Sequence, residues 1–494
     1  MATPIDQDIR QPGLSLAPST GSPVPLLLAL IGGISSLSFF AYLIAEEIAT
    51  VGSGVCALLV WACFLGSMSA FSRIRQRRHA RFVFVGMFGM LMCLAVALYV
   101  FAYPEISLSD YDPSSELSLL LSSHDSVRYI IWAQRVADLW LAGGSYQDAN
   151  MALSQVGLPL VYALLFVIFG FDPVIVILFN TLMVGLSALL TFELAFCYGE
   201  RSRAKLDNSP LISSMLVFLF PVIAMQGAAI PMKEAIILFL LMLAVVSIEK
   251  LAGKLSLAGM IGLICGFVGL IDMRFYMLVP LAVYTAMRLR RYVFGTKRES
   301  IFLVVFLLVA GAIVVLRITS SSVSDVLAGD TDQIRTYLSG YDESGSITAT
   351  TFWRGDWKLA YLVPFRAILV LFNPTPPIHF EDYHVGAESA NVIFVILLVP
   401  FASYRLYQAI KQRRLRRLAY VVPLLVGLVV ISASLQVCSP RFLIPLLPFL
   451  GILAAQGIVY CRAEWQKTYV PFLVLLCLVA AVSYGALKAF VSSF

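Results

Sequence analysis

Charged residues are scarce in this chain: Asp, Glu, Lys and Arg make up only 13% of it, whereas 60% of its residues are hydrophobic. A soluble domain carries roughly 25% charged residues, so this composition excludes an ordinary soluble protein. Apolar runs of about 18 residues or more recur from end to end, and such runs are long enough to cross a bilayer as helices. The chain is therefore predicted to be an all-α polytopic membrane protein.

The sequence also lacks paired cysteines and glycine-rich phosphate-binding loops. None of the eight cysteines belongs to a Cys-x-x-Cys pair, and most lie within or at the ends of apolar runs. This placement favours small apolar fillers over disulfides or metal ligands. No glycine-rich phosphate loop of the GxGxxG or GxxxxGK type occurs, so a soluble nucleotide-sugar-binding domain is not predicted.

Basic residues at the ends of the apolar runs predict the orientation. Residues 1–22 are polar and lack the basic start of a signal peptide, so we expect a disordered cytoplasmic tail. Residues 23–81 contain two spans, the second of which ends in the arginine cluster 73–81 and so marks the cytoplasmic side. A third span at 82–103 then crosses the membrane and ends on the extracytoplasmic side.

Two further apolar segments, 153–170 and 360–372, are predicted not to cross. If either crossed, the later basic loops would move outside, against the tendency of positive charge to stay in the cytoplasm. They are instead expected to be interfacial helices within two large outer loops, at residues 104–172 and 318–390. The remaining spans, which bring the total to about 13, are expected near 173–197, 209–227, 232–249, 255–272, 275–288, 300–317, 391–405, 419–437, 441–459 and 468–489.

Short motifs stand in the first outer loop and near the C-terminus. Asp125, Arg128 and Tyr129 form an Asp-x-x-Arg-Tyr pattern at the start of a predicted helix, and Gly157-Leu158-Pro159 opens an apolar helix farther on. Residues 440–448 run from Pro-Arg-Phe to a Pro-x-x-Pro element. As a set, these motifs resemble the GT-C glycosyltransferases, which include the protein O-mannosyltransferases and the bacterial transferases that add aminoarabinose to lipid A.

This resemblance covers the chain from about residue 82 onward. It implies an eleven-helix core, so that residues 82–494 would be a GT-C-like catalytic domain preceded by two further helices. It also implies a polyprenyl-phosphate-linked sugar donor, a lipid, glycan or protein acceptor, and a catalytic carboxylate near the start of the first outer-loop helix. That position is Asp125, while the family's common second acid is replaced by Ser126.

Transfer of this kind needs a base for the acceptor hydroxyl and positive charge for the departing phosphate. Asp125 is the predicted base, and the same position suits a helix N-cap. Arg128 and Tyr129, one turn beyond it, are predicted to bind substrate. Asp110 and Asp112 have the spacing of a metal site or a secondary acid, and equally of a solvated turn. No cofactor is required, and a divalent metal is left open.

Charged residues at the outer ends of spans form a second group of predicted substrate ligands. Such residues are costly unless they are paired or face a cavity, so Lys233, Glu234, Asp272 and Arg274 are either site residues or self-contained interfacial pairs. Arg441 is either a phosphate ligand or a snorkelling anchor. In the second outer loop, Trp353, Arg354 and His379 are predicted to face the acceptor, or else to mark the membrane interface.

We therefore expect an inverting glycosyltransferase that works on the outer face of a bacterial-type inner membrane and has no nucleic-acid partner. One alternative is an O-antigen or exopolysaccharide polymerase or ligase that uses a diphosphate-linked oligosaccharide, although the outer arginines are scattered here. A second alternative is a polysaccharide-lipid transporter. Transporters tend to carry internal repeats and mid-membrane charge, and the charges here cluster at the ends of spans.

Overall fold

The computed structural model describes residues 23–102, 125–149, 157–198, 208–253, 256–293, 383–412, 418–434 and 440–460, together with Leu371. These residues form helices and short connections, with no strand among them. The helices are α1 Val24–Ala45, α2 Val51–Ala70, α3 Ser72–Arg75, α4 Arg78–Ala102, α5 Asp125–Leu141, α6 Gly157–Phe169, α7 Pro173–Tyr198, α8 Ser209–Leu219, α9 Glu234–Gly253, α10 Leu257–Arg274, α11 Leu278–Val293, α12 Tyr383–Lys411, α13 Val421–Ser434 and α14 Leu447–Tyr460. Shorter helical turns are the 3₁₀ segments Tyr146–Ala149, Phe275–Met277 and Pro440–Leu446 and the π-helical segment Ile223–Ala228.

Eight of the described helices are long and apolar enough to cross a membrane, so the chain is an integral, polytopic α-helical membrane protein. They are α1, α2, α4, α7, α9 and α10, the part of α12 from Glu388 onward, and the stretch Arg441–Val459. The predicted spans at 209–227, 275–288 and 419–437 correspond to shorter apolar helices, the first of which passes into the π-helical turn. The predicted spans at 300–317 and 468–489 lie outside the described residues, as do the tail 1–22 and most of the second outer loop.

Helix α7 is the centre of the bundle. It packs against α2, α4, α8 and α9 and is buried on every side over most of its length. A helix that is apolar all round is stable only when neighbours or lipid surround it, and here the neighbours are protein. Helix α1 instead packs mainly on α4 and leaves Leu27, Leu30, Ile34 and Leu37 exposed, as expected of a lipid-facing helix.

Small residues set the distance between α1 and α4. A methyl group added at Gly32 would lie 2.3 Å from the carbonyl oxygen of Gly86, and one at Gly89 would lie 2.2 Å from the carbonyl oxygen of Gly32. The two backbones therefore touch. Close backbone approach through small residues is a common way for membrane helices to associate, because lipid provides little hydrophobic drive between them.

The helix ends define two opposite faces of the bundle. We call the ends that carry Asp172, Glu234 and Arg274 the Glu234 face, and the ends that carry Arg73, Glu249 and Arg288 the Glu249 face. Helix α9 runs from one face to the other, and its 20 residues correspond to roughly 30 Å, the thickness of a bilayer's hydrocarbon core.

Helix α6 lies at the Glu234 face. At its start, the backbone N–H of Gly157 donates to Asp272 Oδ2 over 2.8 Å, beside the end of α10. Just past its last residue, Gly170 has a φ of +86°, and Phe169 lies against the backbone of Gly52 in the first turn of α2. Both ends of α6 therefore contact helix ends of the Glu234 face, and the prediction that this segment does not cross the membrane stays a prediction.

Asp172 connects the start of α7 to the start of α2 through hydrogen bonds. Its Oδ2 accepts from the Thr50 backbone N–H at 2.9 Å, from the Thr50 hydroxyl at 3.0 Å and from the Ser53 hydroxyl. Its Oδ1 accepts from the backbone N–H of Val174 at 2.9 Å. One buried carboxylate thus satisfies N–H groups at the starts of both α2 and α7, which would otherwise lack partners.

Candidate functional site

A buried ion pair is the centre of the candidate site. Arg274 Nη2 donates to Glu234 Oε1, and the two side chains are only 3% and 2% exposed. Glu234 is the first residue of α9 and Arg274 is the last of α10, so the turns of the chain bring both to the Glu234 face. Removing two charges from water costs free energy that only good pairing offsets. The close contact between Glu234 and Arg274 is therefore needed for either charge to be buried at that face.

Two further cations surround the pair. Lys233 and Arg441 interact electrostatically with the Glu234 carboxylate, together with Arg274. The ring of Phe442 lies 4.5 Å from the Arg274 guanidinium and 5.1 Å from that of Arg441, so one aromatic face stabilises both cations. We call Lys233, Glu234, Arg274, Arg441 and Phe442 the cation cluster. It has three positive groups to one carboxylate and therefore favours an anionic ligand.

Polar side chains from α6 and α7 hold the chain just before Glu234. The Tyr162 hydroxyl donates to Asn180 Oδ1 and to the Met232 carbonyl, each over 3.2 Å. Asn180 Nδ2 donates to the Ile230 carbonyl over 3.0 Å. Both side chains are completely buried, so these bonds fix the non-helical segment that presents Lys233 and Glu234.

The cation cluster keeps unused hydrogen-bonding capacity. Within the described part of the chain, Glu234 Oε2 and Arg274 Nη1 are buried atoms without a hydrogen-bond partner. Tyr276 lies in the turn after α10, with its ring 5.9 Å from the Arg274 guanidinium. Burial raises the pKa of the Tyr276 hydroxyl, so it is a neutral phenol at physiological pH. Buried polar atoms without a hydrogen-bond partner, as Glu234 Oε2 and Arg274 Nη1 are among the described residues, usually mark an unfilled or functional position.

Asp125 lies on the same face, one helix away from the cluster. It is the first residue of α5, as predicted, and its side chain is outside the described residues. Tyr129, one turn later on the same face of the helix, is buried and interacts electrostatically with Tyr162. Tyr162 also bonds the carbonyl of Met232, two residues before Glu234, so the first turn of α5 and the segment that leads into Glu234 both adjoin Tyr162. Arg128, in the same turn, is half-buried.

Asp272 has a structural contact that the sequence did not reveal. Its carboxylate caps α6 through the N–H of Gly157, and a methyl group at Gly157 would lie only 1.9 Å from Asp272 Oδ2. Only glycine allows this approach. The predicted substrate ligand therefore positions α6, and through it Tyr162, next to the cation cluster.

Several predicted site residues cannot be placed, because Asp110, Asp112, Trp353, Arg354 and His379 lie outside the described residues. Among the residues that are described, no three His, Cys, Asp or Glu side chains form a group that could hold a metal ion. The prediction of a metal or secondary acid at Asp110 and Asp112 stays a prediction.

Sequence reasoning missed Tyr162, Asn180 and Tyr276, and it noted Phe442 only as part of the Pro-Arg-Phe motif, with no role of its own. Asn180 carried a usable signal, since a polar residue in the middle of an apolar span is costly and usually has a partner. The two tyrosines carried none, because tyrosine is common in spans for many reasons. Their roles depend on which helices become neighbours.

No protein-family model matches this chain, and a search of curated proteins finds no significant similarity. The GT-C resemblance therefore rests on the sequence motifs alone.

Proposed function

We propose that the protein is an inverting, GT-C-like glycosyltransferase that moves a sugar from a polyprenyl-phosphate carrier to a lipid, glycan or protein acceptor. The observation that carries the proposal is the cation cluster, which adjoins Tyr162 as the start of α5 does. Three cations gather round one carboxylate at the end of the membrane helices, where the phosphate of a lipid carrier would lie. The helix that begins with Asp125 packs on α6 next to this cluster.

The charges divide the reaction between two groups. Arg441, Lys233 and Arg274 bind the carrier phosphate and stabilise the negative charge that grows on it as its bond to the sugar breaks. Asp125 takes the proton of the acceptor hydroxyl while the hydroxyl oxygen attacks the anomeric carbon from the opposite side. The new glycosidic bond has inverted configuration, and polyprenyl phosphate leaves as the product.

The charge distribution supports an extracytoplasmic site. The Glu249 face carries Arg73, Arg75, Arg77 and Arg78 between α2 and α4, and clusters of this kind stay in the cytoplasm. The Glu234 face then points outward, across a bacterial-type inner membrane, with the N-terminus inside. Polyprenyl-linked sugars on that side need no soluble nucleotide-sugar domain.

The test is a transfer assay with purified protein in lipid, which supplies labelled polyprenyl-phosphate sugars and an extract of envelope acceptors. Wild type is expected to form product, and Asp125→Asn is expected to lose about 100-fold or more in rate, the size expected for removing a general base. Asp138→Asn is the matched control, because Asp138 is exposed on the same helix and its substitution should leave the rate unchanged.

Other outcomes would redirect the proposal. Equal rates for wild type and Asp125→Asn would reduce Asp125 to a helix cap and move the search for the base to Asp110 and Asp112. A protein that ignores every monophosphate donor but elongates a diphosphate-linked oligosaccharide would be a polymerase instead. Movement of an intact polysaccharide-lipid across the bilayer without any bond change would identify a transporter.

A further inference from the structure

One face of α12 turns toward the segment that follows α8. Glu388 Oε1 accepts a hydrogen bond from Gln226 Nε2 over 3.4 Å. Two turns deeper, the ring of Phe394 lies edge-on to that of Phe220, with 5.1 Å between the centroids. Asn391 lies between Glu388 and Phe394 at a spacing of three residues, and residues so spaced share a helix face. Asn391 therefore faces the same segment, about 4.5 Å deeper than Glu388.

Asn391 is an unusual residue for this place. It is completely buried, and in the portion of the chain described here neither its Oδ1 nor its Nδ2 has a hydrogen-bond partner. A buried amide without partners costs free energy in both of its polar atoms. Leucine would fill the same space without this cost.

The neighbouring backbone is also irregular. Gln226 belongs to the π-helical segment Ile223–Ala228, and short π-helical turns within α-helices are frequent at functional sites. This segment packs against the 3₁₀ turn Pro440–Leu446, which carries Arg441 and Phe442 of the cation cluster. The π-helical segment thus contacts both the polar side of α12 and the 3₁₀ turn that carries part of the cation cluster.

We propose that Gln226, Glu388 and Asn391 form a subsite for the hydroxyl groups of the transferred sugar. The inference rests on the proposed function, since the sugar must lie next to the carrier phosphate held by the cation cluster. A hexose presents neighbouring hydroxyls, each of which can donate and accept. The half-buried Glu388 carboxylate accepts from them, and the Asn391 amide offers an NH₂ group that donates and a carbonyl oxygen that accepts, deeper in the site.

The experiment measures binding of two kinds of probe to the full-length protein in lipid nanodiscs. One probe is polyprenyl phosphate alone, and the other is polyprenyl phosphate carrying glucose, mannose or aminoarabinose. Wild type is expected to bind at least one sugar-bearing carrier about tenfold more tightly than the bare carrier. Asn391→Leu and Glu388→Gln are expected to bind the bare carrier unchanged and to lose most of that tenfold preference.

Thermal unfolding separates this role from a structural one. Asn391→Leu should unfold at the same temperature as wild type or at a higher one, because it removes an unpaired buried amide. Glu46→Gln is the control for Glu388→Gln, since Glu46 is an exposed carboxylate at the end of α1, and it should bind both probes like wild type.

Each remaining result has a defined meaning. If wild type binds the sugar-bearing and bare carriers equally, or if both variants keep the full preference of wild type, the subsite is refuted while the proposed function stands. If wild type binds neither carrier, the proposed function fails and the subsite fails with it. Should Asn391→Leu be misfolded, Glu388→Gln alone decides between these results.

Discussion

Helix α9 carries a buried glutamate at each end, and the two differ in how completely they are satisfied. Glu249 accepts from the hydroxyls of Tyr198 at 2.8 Å and Tyr284 at 2.5 Å, and the Arg288 guanidinium bonds both of its oxygens. Glu234 is bonded through Oε1 to Arg274, while its Oε2 has no hydrogen-bond partner among the described residues.

Under the proposed function, the difference separates a structural ion pair at Glu249 from a substrate-binding one at Glu234. The Glu249 network joins α7, α9 and α11, and both oxygens of the Glu249 carboxylate accept hydrogen bonds within it. The Glu234–Arg274 pair lies beside the further cations Lys233 and Arg441, and its Oε2 and Nη1 atoms have no hydrogen-bond partner among the described residues. An anionic ligand could therefore form hydrogen bonds and ion pairs there. Substitutions at the two ends should therefore separate stability from activity.

The largest effect is expected from Arg274→Met. It leaves the Glu234 carboxylate without its direct partner in a buried place, so the free energy of unfolding should fall by about 3–5 kcal/mol. The double variant Glu234→Leu with Arg274→Met should recover most of that loss but form no product. Unfolding in mixed micelles and the transfer assay measure the two quantities.

The matching double variant at the other end should behave differently. Glu249→Leu with Arg288→Met removes the carboxylate that accepts from Tyr198 and Tyr284, and since these two hydroxyls can then bond only each other over 2.7 Å, one buried donor is left without an acceptor and the stability should stay low. Equal recovery by both double variants would remove the distinction between the two ends.

A smaller effect, on activity alone, is expected from Arg441→Met. Arg441 is half-buried at the edge of the cation cluster, so its loss should slow transfer by about 100-fold, as for other groups that stabilise developing charge. The unfolding free energy should change by less than about 1 kcal/mol. Arg75→Met, an exposed arginine on the Glu249 face, is the control and should leave both quantities alone. A normal rate for Arg441→Met would place the carrier phosphate elsewhere.

The smallest effect is expected from Tyr284→Phe. It removes one of the donors to Glu249 and should lower the unfolding free energy by about 1 kcal/mol, the usual range for a polar contact between membrane helices. The transfer rate should not change, because the Glu249 face takes no part in the chemistry. A clear loss of rate at unchanged stability would show that the two ends are coupled through α9.

The hydropathy of the sequence was sufficient for the membrane class and for most helices. The predicted spans at 173–197 and 232–249 match α7 and α9 closely, because a bilayer demands a fixed length of apolar helix. Boundaries were weaker where apolar character continues into a turn. The predicted span at 209–227 is α8 followed by a π-helical turn, and α12 begins inside the predicted second outer loop.

The amino-acid sequence by itself determined that the chain lives in a membrane and that charged residues gather at the ends of its spans, because both follow from the cost of burying charge in lipid. Only the tertiary structure decided which of those charges meet. Glu234, Arg274 and Arg441 are far apart in the chain and come together because α9, α10 and the turn before α14 end at one face. Asp272, which is acidic like Glu234, instead accepts a hydrogen bond from the backbone N–H of Gly157. Pairing depends on packing geometry, and a linear pattern of charges does not contain it.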